Sequence, residues 1–128
     1  MNQISSLMIP REDDEQIVVI QWANMSTAKY EDVDLIYHIP NGGKRNAREA
    51  ERLREMGVKA GMPDLCLPVA RGIYHSLYIE LKRRKGGRVS EAQNRRIRRL
   101  QKAGNCVCVC KGADEAIEAI KAYYGFPK

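Results

Sequence analysis

Two apolar runs of strand length lie close together in this chain, and each carries charge where a strand would have to expose it. Asp64-Leu65-Cys66-Leu67-Pro68-Val69 and Ser76-Leu77-Tyr78-Ile79-Glu80-Leu81-Lys82 are separated by a short polar stretch containing Arg71-Gly72 and Tyr74-His75, the composition of a hairpin loop. Side chains alternate along a strand, so Ile79 and Leu81 share one face while Tyr78, Glu80 and Lys82 share the other. Asp64 opens the first strand and Glu80 lies near the end of the second, so antiparallel pairing brings the two carboxylates together across the ladder. Two acids and an ammonium are costly to bury side by side unless a cation neutralises the acids and gives the lysine a role. The pattern therefore points to a metal site able to hydrolyse phosphodiesters. A hard cation such as Mg²⁺ would take oxygen donors from Asp64 and Glu80, with waters and a backbone carbonyl, that of Leu81, completing its octahedron. Either motif alone favours a surface reading, since Glu-x-Lys is a common strand edge and Pro-Asp a common turn. In order and one hairpin apart, they favour the metal site.

The wider string is more specific. His38-Ile39-Pro40-Asn41-Gly42-Gly43, Gly61-Met62-Pro63-Asp64-Leu65, Tyr78-Ile79-Glu80-Leu81-Lys82 and Ser90-Glu91-Ala92-Gln93 occur in that order. The series resembles the virus-type replication-repair nuclease (VRR-NUC) domain of the PD-(D/E)XK nuclease superfamily, over about Asp13 to Tyr124. The resemblance implies an α/β fold with a restriction-endonuclease-like core, a central mixed β-sheet flanked by helices in the order α-β-α-β-β-α-β-α. It also implies a Mg²⁺-dependent endodeoxyribonuclease, with Mn²⁺ able to substitute, that selects branched DNA such as four-way (Holliday) junctions. Compact stand-alone members are typical of phages and bacteria and are expected to be homodimers. The family carries a glutamate on its first helix beside the metal site, which matches Glu15, with Asp14 as the fallback, and a glutamine lining the active site, which matches Gln93.

At 128 residues the chain is expected to form one domain, residues 1–128, large enough to bury a core without disulfide staples. A hydrophobic fraction of 44% with 30% charged residues is ordinary for a globular protein, and no apolar stretch approaches the ~20 residues that cross a bilayer. The opening residues lack the layout of a secretory leader, so the cytoplasm of a bacterial or phage-infected cell is the expected location, with no membrane partner and no small-molecule cofactor. Cys106, Cys108 and Cys110 alternate with Val107 and Val109, which places them on one face of a strand as small apolar residues and not in a zinc knuckle.

The first helix is expected over about Glu12 to Met25, its acids crowded at the end favoured by the helix dipole. Glu15, Val18, Val19 and Trp22 fall on one stripe, which turns Glu15 toward the protein body; as a first-turn acid beside Glu12, Asp13 and Asp14 it needs no further role. Asp34 to Ile39 reads as a short strand closed by a Pro40-Asn41-Gly42-Gly43 turn, and a helix runs from about Arg45 to a Gly57 C-cap. His38 reads as a core histidine without a catalytic role. Lys44, Arg45 and Arg48 either meet phosphate or form a solvated helix start.

Beyond Lys82 the chain is intensely basic, and the net charge of +6 is concentrated there. Arg83, Arg84, Lys85 and Arg88 flank Gly86-Gly87, and the next helix carries Arg95, Arg96, Arg98, Arg99 and Lys102 with only Glu91 opposing them. A solvated helical face normally alternates its signs, so the bias favours a polyanion bound without sequence preference. Ser90 and Gln93 have the spacing of a capping box, a duty that would compete with an active-site role for the glutamine amide. A final strand over the cysteines and a helix from about Ala113 to Tyr124 complete the chain, with Tyr123, Tyr124 and Phe126 as candidates for an exposed dimer contact, although such aromatics more often serve ordinary packing. In the mechanism these residues imply, Asp64 and Glu80 hold the cation, Glu15 joins directly or through water, and Lys82 positions the attacking water. Two alternatives stand beside it: a basic nucleic-acid-binding module without catalysis, and a nuclease of flaps or linear duplex.

Overall fold

The computed structural model describes residues 9–41 and 46–128. Helix α1, Glu12–Asn24, is followed by a 3-10 turn at Val33–Leu35, strand β1 at Tyr37–His38, helix α2 at Ala47–Glu55, and strands β2 and β3 at Leu65–Leu67 and Leu77–Lys82. Helix α3, Glu91–Lys102, strand β4, Cys106–Lys111, and helix α4, Gly112–Tyr124, complete the order. The strands form one sheet in the order β1-β2-β3-β4; the first two junctions are antiparallel and β3–β4 is parallel. This is the expected mixed sheet, and the parallel junction follows from α3, which carries the chain back to the same end of the sheet before β4 begins.

Leu65 pairs with Ile79, and Ile79 with Cys108, so these three form one row across the sheet. That face, with Leu67, Leu77, Leu81 and Cys110, packs against Val19 and Ala23 of α1 and Ala113, Ala116, Ile120 and Tyr123 of α4. The alternation of cysteine and valine thus does what it predicts: all four cysteines are free thiols, and Cys110 is buried. Burial pushes the Cys106 thiol up to about 11 and Cys110 to about 12, so both stay protonated as apolar filler.

Several boundaries differ from the sequence reading. The strand expected over Asp34 to Ile39 shrinks to Tyr37–His38 because Val33–Leu35 turns as a 3-10 helix after Asp32, whose φ is 65°. The first hairpin strand stops at Leu67, since Pro68 has no N–H to offer a ladder. Tyr123 is 1% exposed and donates its hydroxyl to the Val69 carbonyl, while the Tyr124 hydroxyl donates to Glu31. These tyrosines bind the C-terminal helix to the body; Tyr123 is buried, Tyr124 half-buried, and of the three aromatic candidates only Phe126 is exposed.

Candidate active site

The face of the sheet opposite the core carries Asp64, Glu80 and Lys82, and α3 lies over it. Asp64 is fixed through both its backbone and its carboxylate: its carbonyl accepts from the Ile39 N–H at 2.8 Å and from His38 Nδ1 at 3.0 Å, and its Oδ2 accepts the Leu81 N–H at 2.7 Å. Leu81 therefore enters the site through its N–H. Glu80, 3% exposed, accepts from Gln93 Nε2 at 2.8 Å and pairs with Lys82 Nζ at 3.2 Å. Lys82 also donates to Gln93 Oε1 at 2.9 Å.

Gln93 performs both duties that the sequence sets in competition. Its Oε1 accepts the Ser90 N–H at 2.9 Å as well as Lys82, and the Ser90 Oγ accepts the Gln93 N–H at 3.1 Å, completing the capping box. A carboxamide oxygen has two lone pairs and its nitrogen is free to donate elsewhere, so one side chain can cap the helix, hold the lysine and hold the glutamate. The cap sets the position of α3, and through it the amide's grip on Glu80 and Lys82.

The electrostatics are those of acids short of positive charge. Burial pushes Asp64 above its ordinary range; the Leu81 N–H pulls it back, Glu12 pushes it further up, and His38 and Lys82 oppose that push. Glu80 is pushed up to about 7, first by burial and then by the charge of Asp64, with Lys82 pulling it down and Glu12 again pushing up. The third carboxylate near the pair is therefore Glu12, in the first turn of α1.

Glu15, the residue expected there, is turned elsewhere. Its carboxylate takes both arms of the Arg84 guanidinium at 2.9 and 3.0 Å and the Ala113 N–H at 3.1 Å. The buried residues of α1 are Glu15, Val19 and Ala23, with Trp22 packed against the same core, so of the expected stripe Glu15, Val18, Val19 and Trp22 only Val18 is exposed. Arg84 holds Glu15 below the usual carboxylate range. Gly112, at φ +86°, completes the arrangement, since a Cβ there would lie 2.9 Å from both Glu15 Oε2 and Arg84 Nε. Arg84, expected to meet DNA, is thus committed to a structural ion pair. The sequence signal for Glu12 was weak, one of four acids in a first turn; only its place in the tertiary structure singles it out.

The remaining basic residues divide. Arg83, Lys85 and Arg88 are exposed on the turn after β3, and Gly87 folds that turn back onto Lys82 and Arg83, so the backbone it approaches is the chain's own. Arg95 and Arg99, with Arg96, Ala60 and Ala92, line a cavity of about 240 Å³. Arg96 donates to the Ala60 carbonyl at 3.4 Å, and Arg95 pairs loosely with Glu91 at 3.6 Å. Gly61, at φ +78°, lets the loop leading to Asp64 press on the Ala92 carbonyl, so this arginine cavity and the acid pair share one wall. Lys44 and Arg45 lie outside the described residues.

Residues 10–114 match the VRR-NUC domain family. The chain belongs to that family. A solved structure described as a VRR_NUC domain protein is 38% identical, with a TM-score of 0.77 over 91% of this chain and 90% of the other. No curated protein matches. VRR-NUC membership gives the mixed sheet its place among restriction-endonuclease-like folds and implies a nuclease-type, DNA-processing function.

The donor set suits a hard divalent cation. Among the described residues no three His, Cys, Asp or Glu side chains form a ready-made cage, and Mg²⁺ commonly binds through one or two carboxylates while retaining waters. A half-buried Asp64 and a buried Glu80, both raised toward protonation first by burial and then by neighbouring carboxylates, meet that description. No described helix is long and apolar enough to cross a membrane.

Proposed function

We propose that this VRR-NUC protein is a Mg²⁺-dependent structure-selective DNA endonuclease, with Mn²⁺ able to substitute, acting as a homodimer on branched DNA such as four-way junctions. The observation that carries the reading is the pairing of a buried Glu80 with a half-buried Asp64, backed by Lys82 and Gln93. Asp64 and Glu80 would hold the cation, with Glu12 in place of the expected Glu15, directly or through water. The Leu81 carbonyl is a further donor, because in an extended strand a residue's N–H and C=O leave on the same side, and the N–H already points to Asp64. A divalent cation bound there supplies a Lewis acid for a phosphoryl oxygen and lowers the pKa of a coordinated water.

Lys82 is held by Glu80 and Gln93 with a proton donor left to spare, which suits it to orient the attacking water and to stabilise charge developing on the phosphate. Gln93 fixes the lysine and the glutamate in one geometry, so it is a positioning residue. The arginines of α3 and the turn before it bind backbone phosphates in any sequence. Two opposed cuts in a four-way junction require two sites at fixed spacing, which a two-fold dimer supplies.

The test is cleavage of four-way junctions, flaps and linear duplex with Mg²⁺, with Mn²⁺ and with EDTA, for the native protein and Asp64→Asn. Metal-dependent junction cleavage lost in the variant is expected. DNA binding without cleavage in any metal would leave a non-catalytic binding module, and preference for flaps or linear ends would remove the junction assignment while keeping the nuclease.

A further inference from the structure

Helix α2 stands apart from the rest of the fold. It is nine residues long, buries none of them, and makes no extensive contact with another element. Isolated helices of this length are marginal in water, and helices in proteins draw most of their stability from a packed face. Its ends are capped, by Asn46, which accepts the Glu49 N–H at 2.8 Å, and by Gly57 at φ 111°, after which the Val58 N–H reaches the Leu53 carbonyl at 2.9 Å, but no face of it is packed. Met56, just beyond the helix, is 72% exposed.

The outer face of α2 has a symmetric charge pattern. Arg48, Glu51, Arg52 and Glu55 stand at i, i+3, i+4 and i+7, one stripe on an α-helix, and all four are exposed. None of the four forms an ion pair among the described residues. Turned end for end about its midpoint, the stripe exchanges every sign: Arg48 falls on Glu55 and Glu51 on Arg52. The same reversal exchanges Glu49 with Arg54 beside the stripe, while Ala50 and Leu53 lie on the opposite side of the helix. A face whose charges cancel is not made for a polyanion. Its complement is itself, reversed.

We propose that α2 is the self-association surface of this protein, pairing antiparallel with α2 of a second copy about a two-fold axis between Glu51 and Arg52. In such an isologous contact residue i meets j and j meets i, so each contact occurs twice: Arg48 with Glu55 of the second copy, and Glu51 with its Arg52. The occupant is a second copy of this chain, and the inference rests on the homodimer reading above, to which it gives a place. A seam of nine residues is about 14 Å long, at the small end of stable interfaces. Association at micromolar concentration, weakening with salt as exposed charges are screened, follows.

The test uses the whole chain and four proteins: native, Glu51→Arg, Arg52→Glu, and the double exchange Glu51→Arg with Arg52→Glu. Light scattering and sedimentation across concentration and salt give the dimer Kd, and circular dichroism checks that these surface changes leave the fold intact. The native chain and the double exchange are expected to dimerise alike, because the exchange keeps every pair complementary. Each single reversal is expected to weaken the dimer by at least about tenfold, having placed like charges against each other twice. Mixing the two single variants restores association, since one then presents only bases at these two central positions and the other only acids. A native dimer that both single reversals leave unchanged overturns the α2 interface and spares the homodimer. A native chain that stays monomeric at high concentration overturns both.

Discussion

Glu80→Gln should make the metal-free protein more stable and inactive, with a dependence on pH that separates a ligand site from an ordinary core. The native Glu80 carboxyl is held at about 7, against about 4.5 when unfolded. Between those values the folded state binds more protons than the unfolded state, so this group's contribution to stability falls as pH rises, from no cost below about pH 4.5 to its full cost above about pH 7. A shift of that size corresponds to about 3 kcal/mol. Coupling to Asp64 reduces the part that one substitution can recover to about 2 kcal/mol. Gln is nearly isosteric and its oxygen can still accept from Gln93, so the neutral side chain fits. For 128 residues the unfolding entropy near the transition is about 0.27 kcal/mol/K, so about 2 kcal/mol is a rise in Tm of roughly 7 °C. Thermal and urea unfolding in EDTA would read this directly: near-equal stabilities at pH 4.5, the variant ahead by the full amount at pH 8. Saturating Mg²⁺ should reverse the order, because only the native protein gains binding free energy. A variant that melts below the native protein at pH 8 in EDTA, or a difference that does not change with pH, would refute the reasoning.

Lys82→Ala should lose at least about a hundredfold in turnover while retaining Mg²⁺ affinity within a few-fold by calorimetry; a loss of affinity as large as that of Asp64→Asn would make Lys82 part of the cation's support and not of the chemistry. Glu12→Gln should weaken Mg²⁺ binding with little change in fold. Glu15→Ala should instead cost about 2 kcal/mol, because it leaves the buried Ala113 N–H unpaired and removes both hydrogen bonds to the half-exposed Arg84 guanidinium; urea unfolding and calorimetry on the pair show whether the two acids divide the work this way. Replacing Arg95 and Arg99 by Ala should weaken binding to all DNA sequences alike and flatten the slope of log K against log salt by about one for each phosphate no longer neutralised. An unchanged slope would remove the α3 cavity from the DNA path.

The pairing of acids was legible because a strand has a period of two and a hairpin has one sensible register. Given Asp64 at the head of one strand and Glu80-Leu81-Lys82 in the next, the antiparallel ladder leaves no other neighbour for Asp64, and the observed pairing of Leu65 with Ile79 follows the same logic. The cysteine strand was legible for the same reason, its alternation matching the leucine face of β3. Local rules also located the capping box, although not the fact that Gln93 serves Glu80 and Lys82 at the same time.

What sequence could not decide was which of several equivalent residues meets which partner. Glu12 and Glu15 are both first-turn acids, and the seating of Val19 and Ala23 against the sheet gives Glu15 to Arg84, while the charge of Glu12 is felt at Asp64. Arg84 looked like its basic neighbours until the fold brought it, across 69 positions, onto Glu15. Tyr123 looked like surface at the end of the chain until α4 carried it under Val69. Strands, caps, turns and the acid pair one hairpin apart depend on neighbours in the chain, and local order was enough to locate them. The tertiary structure alone decided the contacts between elements far apart in sequence, because those depend on the rotation and seating of whole helices, which are set by the summed packing of the core and by no single local signal.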